Sequence, residues 1–216
     1  MKRISVLSLK HYAIIILIIF SIAHLPALSQ RLPGDVNPNI FNENPDTTSR
    51  NSYYFLAPVA KLAEMIHRGG FEVGISAGIT LNNSFNIGAG YYYLFTHNII
   101  IENPNLPFAH LRLDYGGIEL GYNLKLNKFF GLSWQALFGL GKVNISQSVS
   151  VDVLNDQNGN WLFLSEPGQH FYFYISKKII IDAGLNYRLV TGVDYFGVKS
   201  KNLCGPVISL AFKIIN

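Results

Sequence analysis

The chain has 216 residues, of which 49% are hydrophobic, 13% aromatic and 14% charged, with a net charge of +4. Typical globular domains carry roughly 25% charge, so this composition predicts a surface that partly faces something other than water. The basic residues are scattered without the stripe that nucleic acid requires, and the single cysteine, Cys204, excludes an intramolecular disulfide framework.

Residues 1–29 read as a signal peptide. Lys2, Arg3 and Lys10 give a positive start, Ala13 to Ala23 form an apolar run, and Ala27 and Ser29 are the small residues of a cleavage site before Gln30. The apolar run is shorter than the roughly 17–25 residues a spanning helix needs. No cysteine follows the site, so a lipid anchor is not expected. Residues 30–51 carry Pro33, Pro38, Pro45 and several asparagines with little apolar periodicity, and are predicted to be a disordered periplasmic leader. Residues 52–216 form the predicted folded domain.

From Ser52 the dominant period is two, the period of a strand. Tyr53 to Glu64 is assigned as a strand despite Pro58 and a helix-like run at Leu62 to Ile66. Next, Phe71, Val73, Ile75, Ala77, Ile79 and Leu81 alternate with Glu72, Gly74, Ser76, Gly78 and Thr80. After Asn82-Asn83, Phe85 to Phe95 sets one apolar face against Asn86, Gly88, Gly90 and Tyr92. Ile118 to Leu124 alternates with Glu119, Gly121 and Asn123, and Phe130 to Leu140 with Gly131, Ser133, Gln135 and Gly139. Trp161 to Ser176 is apolar on both faces near Phe171 to Ile175, and is needed as a strand to close the sheet evenly. Ile179 to Tyr187 alternates with Asp182, Gly184, Asn186 and Arg188, and Ile208 to Ile214 with Ser209, Ala211 and Lys213.

The links near Asn82-Asn83, Asn127-Lys128 and Lys177-Lys178 are tight. Those near His97 to Pro107, Ser146 to Asn160 and Gly192 to Asn202 are long, whereas the first, near His67 to Gly70, is short. Outer-membrane barrels have short periplasmic turns and longer outer loops. The face opposite the apolar one is rich in Gly, Ser, Asn and Thr, which suits a narrow lumen better than a watered surface. The expectation is an all-β fold: a closed antiparallel up-and-down transmembrane β-barrel of eight strands in the cell outer membrane, with the apolar face toward lipid. The same alternation would also serve a soluble periplasmic lipocalin-like binding barrel with its apolar face inward.

The inward face is then predicted to carry a charge network of Glu72, Glu119, Glu166, Asp182, Arg188 and Lys213. Unpaired charges there would cost several kcal/mol each, so a network centred on Arg188 is expected, with Glu119 and Glu166 as its preferred partners.

From about Phe55 to Phe212 the chain resembles a family of small exported bacterial outer-membrane β-barrel proteins of uncharacterised function. The residues that carry the resemblance are Gly74-Ile75-Ser76-Ala77-Gly78, Asn83-Ser84-Phe85-Asn86-Ile87-Gly88 and Tyr115-Gly116-Gly117-Ile118-Glu119-Leu120. Glu166-Pro167-Gly168, Asn186 to Gly192 and Leu203 to Pro206 complete it. The likeness implies fold and location and imports no activity.

The expected partners are outer-membrane lipids and, during insertion, the barrel-assembly machinery. The barrel is expected to be a monomer. His67, His97 and His110 fall in or near the outer loops, but no nucleophile elbow accompanies them. No His/Cys/Asp cluster has metal-ligand spacing, and Gly139-Leu140-Gly141-Lys142 lacks the spacer and Ser/Thr of a phosphate loop. No catalytic residue, metal or cofactor is therefore predicted, and the leading function is structural or loop-mediated interaction. The alternatives are a rim-located lipid-modifying enzyme using His97 or His110, and a narrow pore.

Overall fold

The computed structural model describes residues 52–66, 68–96, 100–101, 109–147, 159–195 and 197–216. The predicted signal peptide and leader lie outside them, as do His67, His97 and most of the third and fifth links. Eight long strands make up the described domain: β1 Tyr53–Met65, β2 Arg68–Leu81, β3 Phe85–Leu94, β4 Ala109–Lys125, β5 Phe130–Gln147, β6 Asn160–Ser176, β7 Ile179–Thr191 and β8 Gly205–Ile215. Each pairs antiparallel with its chain neighbour, and β1 pairs with β8 in a register that includes Val59↔Ala211. The sheet closes on itself as an up-and-down barrel.

The tight turns follow from local chemistry. Asn82 and Asn83 adopt φ of 50° and 56°, a left-handed conformation asparagine tolerates well. Between β4 and β5, the Asn127 Oδ1 accepts from the N–H groups of Phe129 and Phe130 at 2.8 and 2.9 Å. These turns share one end of the barrel with Asn216, whose N–H donates to the Tyr54 carbonyl at 3.2 Å.

At the opposite end Ile66, a β-branched residue, is held at φ 51°, where such residues are genuine outliers. Its N–H donates to the Asn202 carbonyl at 2.7 Å, and its side chain packs against the buried core. The β7–β8 link supplies that packing. Its short hairpin, Asp194–Tyr195 against Val198–Lys199, and the 3₁₀ turn Ser200–Asn202 bring Val193, Val198 and Leu203 into the same apolar cluster.

Two prolines interrupt the ladder at defined places. The β1–β8 pairing passes from Leu56↔Ile214 to Val59↔Ala211 around Pro58, and β6–β7 from Ser165↔Leu189 to Gly168↔Asn186 around Pro167. Each proline lacks the N–H that its neighbouring strand would accept.

Along the middle of the barrel the apolar residues point outward. Ile75, Tyr91, Ile118, Phe138, Leu140, Phe163, Phe171, Leu185, Ile208 and Leu210 are exposed, while Ser76, Ser133, Asp182, Asn186 and Ser209 are buried. Beyond the row Asp114↔Lys142 the faces exchange character. There Leu111, Leu113 and Val143 point inward and are buried, whereas Arg112 is exposed and Lys142 and Asn144 are half-buried. Together with Met65, Leu94, Leu162, Leu164 and Val190, these inward residues form an apolar plug in the mouth of the barrel.

Glycines make room for large inward side chains. Tyr92 stands opposite Gly74, and His170 opposite Gly184. A Cβ at Gly74 would lie 2.3 Å from Tyr92 Cδ1, and one at Gly184 only 2.4 Å from His170 Cε1. Gly184→Val is therefore expected to lower the urea midpoint of the detergent-folded barrel by an amount equivalent to about 1–3 kcal/mol, the usual cost of overpacking. Gly69→Val, where a Cβ meets nothing within 4 Å, should leave the midpoint unchanged.

Candidate functional site

The lumen is the most chemically dense part of the molecule, and it is layered. Below the apolar plug sits Arg188, with 0% of its surface exposed. Its Nη1 and Nη2 donate to the two carboxylate oxygens of Glu72, each at 2.7 Å, and its Nε donates to Glu166 Oε1 at 2.5 Å. Nη2 also donates to the Tyr115 hydroxyl at 2.7 Å, and Nη1 reaches the Met65 sulfur at 4.0 Å. All five guanidinium donors are thus engaged, two of them in the parallel fork that best matches a carboxylate.

Lys61 completes the cluster. Its Nζ donates to Glu166 Oε2 at 2.6 Å and lies 3.5 Å from the Tyr92 ring centroid. Tyr92 stacks on Tyr115 at 5.1 Å, and the Tyr115 hydroxyl donates to Glu72 at 2.8 Å. Two cations and two carboxylates balance. Glu119 lies beside this group and accepts from Ser76 Oγ at 2.5 Å and from the Tyr92 hydroxyl.

A second cluster lies nearer the tight turns. Asp182 accepts from Lys213 Nζ at 2.5 Å and Gln135 Nε2 at 2.9 Å, and meets His170 Nδ1 at 2.5 Å. His170 Nε2 contacts Asn186 at 2.9 Å, and Asn186 Nδ2 donates to Ser209 at 3.0 Å. Between the clusters is a cavity of about 50 Å³ bordered by Lys61, Glu119, Gln135, His170 and Asp182, polar and large enough to hold water. Below it, Thr80, Asn86 and Asn123 form a short hydrogen-bonded ladder.

All six residues singled out in the sequence point inward. The structure brings Glu72, Glu166 and Arg188 together, and separately Asp182 and Lys213. One expected pairing is corrected: Glu119 is not a partner of Arg188, because the stagger of the strands sets Glu72 at the height of the guanidinium and Glu119 beside Tyr92. Lys61, Tyr115 and His170 escaped sequence reasoning. Counting the period-two alternation backward from Glu119 to Tyr115, or from Ser176 to His170, would have placed both inward. His110 stands at the outward side of the plug end with its Nδ1 buried and without a hydrogen-bond partner among the described residues, and Cys204 is a free thiol whose sulfur accepts from the Val190 N–H at 3.2 Å.

No family model matches the chain, and no curated protein matches it. The closed eight-stranded fold with an apolar outer belt and a charged lumen is that of the small outer-membrane β-barrels. Among solved structures the chain is similar to Neisserial surface protein A, with 16% identity and a TM-score of 0.52, over 76% of this chain and 96% of that one. It is also similar to Ail, the attachment invasion locus protein of Yersinia pestis, with 12% identity and a TM-score of 0.47, over 76% of this chain and 97% of that one.

Removing one member of a buried charge pair strands the other, at a cost of about 3–5 kcal/mol. Arg188→Ala should therefore lower the urea midpoint of the detergent-folded barrel by an amount in that range. Exposed Arg112→Ala should leave it at the wild-type value.

Proposed function

We propose that the protein is a monomeric barrel of the cell outer membrane with a structural or loop-mediated interaction role, and that it acts without catalytic chemistry and without passing solute. Its surroundings are outer-membrane lipids, and the barrel-assembly machinery inserts it. The observation that carries this reading is the filled lumen. Arg188, Glu72 and Glu166 block the centre with mutually satisfied charges, and the apolar plug of Leu111, Leu113, Val143 and Leu164 closes the mouth above them. Eight strands leave an interior wide enough for side chains alone. A rigid scaffold with long connections at one end is where recognition resides in such folds.

Cell fractionation tests the location: the mature protein should sediment with outer membranes and resist carbonate extraction, and recovery in the soluble periplasm would overturn the membrane reading. Planar-bilayer recording tests the closed lumen. The expected trace is free of stable conductance steps, and such steps would establish a pore. Membrane lipid profiles with and without the gene should match; a changed acyl or headgroup pattern would favour a rim enzyme instead.

A further inference from the structure

The end of the barrel that carries the tight turns concentrates positive charge. Lys125 and Lys128 flank the β4–β5 turn, Lys177 and Lys178 form the β6–β7 turn, and all four are exposed. The two turns are in contact: the Tyr174 N–H donates to the Phe129 carbonyl at 2.8 Å, and Lys125 Nζ lies 5.6 Å from the Tyr174 ring centroid. The lysines therefore make one patch. Among the described residues of this end no Asp or Glu is exposed. Asp182, on the inward face of β7, is buried and already held by Lys213 and His170. The opposite end instead mixes Glu64, Asp114 and Asp194 with Arg68, Arg112, Lys142, Lys199 and Lys201.

The patch also has an apolar border. Leu126, Phe129 and Ile175 are 48%, 61% and 62% exposed, and they continue into the outward belt through Phe130 and Phe173, whose rings are 6.2 Å apart. Ammonium groups beside apolar side chains, at the edge of a lipid-facing belt, match one partner: a phosphate headgroup whose acyl chains lie along that belt. Lysine is a flexible point charge, suited to a fluid array of phosphates more than to one fixed ligand. We infer that Lys125, Lys128, Lys177 and Lys178 hold anionic phospholipid headgroups in the leaflet facing the turns, so that the barrel selects acidic lipids for its annulus on that side.

This inference rests on the membrane reading above, and native mass spectrometry separates the two. The full mature chain, folded in nonionic detergent, is offered equal amounts of phosphatidylglycerol and phosphatidylcholine. Wild type should retain phosphatidylglycerol preferentially, by roughly fivefold for each engaged lysine, and less so as salt rises. Replacing all four lysines with glutamine should abolish the preference, with folding verified by heat-modifiable gel mobility. If that variant does not fold, K125Q/K128Q and K177Q/K178Q are each expected to reduce the preference. R112Q/K142Q, at the other end, should keep it. Equal retention of both lipids by wild type, or an undiminished preference in the lysine variants, would overturn the inference and leave the membrane reading standing. A preference that emerges only after deletion of residues 30–51, which carry Asp35, Glu43 and Asp46, would overturn it in favour of the leader as occupant.

Discussion

A fully buried guanidinium at the centre of a narrow lumen dictates what surrounds it. Desolvating such a charge costs several kcal/mol, which close carboxylates offset when the geometry is good and the remaining donors are satisfied. Arg188 meets both conditions through Glu72, Glu166, Tyr115 and Met65. Those partners come from β2, β6, β4 and β1, so one side chain ties together strands around the whole barrel. Glu166 lies directly across from Arg188, where Pro167 interrupts the β6–β7 ladder. A buried ion pair is not in itself a gain over well-packed apolar residues. Its consequence here is register: slipping β7 by one residue would turn Arg188 toward the belt and leave Glu72 inside without its cation.

The exchange of faces above Asp114 and Lys142 follows from the two solvents the barrel meets. Within the belt, lipid accepts Ile118 and Phe138 on the outside and polar groups gather inside. Above it, water accepts Arg112 and Asn144 outside, and Leu111, Leu113 and Val143 turn inward to build a core of the kind found in soluble barrels. The alternation never loses its parity; the medium outside changes, and the chemistry of each face changes with it. One chain therefore combines the two arrangements that its composition left as competing alternatives.

Much of this was legible because period two is a local property. Glu72, Asp182 and Arg188 could be assigned inward by counting along their own strands. Which of them meet could not, because height in a barrel depends on the stagger between strands, and no single strand encodes it. Glu119 and Glu72 share a face yet differ in height, and only Glu72 reaches the guanidinium. Lys61 was hidden because Pro58 and the helix-like Leu62 to Ile66 run blur the alternation of β1, and His170 because its strand is apolar on both faces nearby. The plug is less legible for a related reason: Leu111 and Leu113 keep the inward parity of Glu119 and Gly121 but carry the opposite chemistry.

The pairing of β1 with β8 joins residues as distant in sequence as Val59 and Ala211, whereas every other seam is a hairpin between chain neighbours. Loop-closure entropy therefore weighs most on this seam, and the hairpins, being local, form without it. The contact between Arg188 and Glu72, 116 residues apart, spans the lumen and requires both sides of the wall to be in place. It is a molecular latch: it can engage only when the sheet has closed into a cylinder.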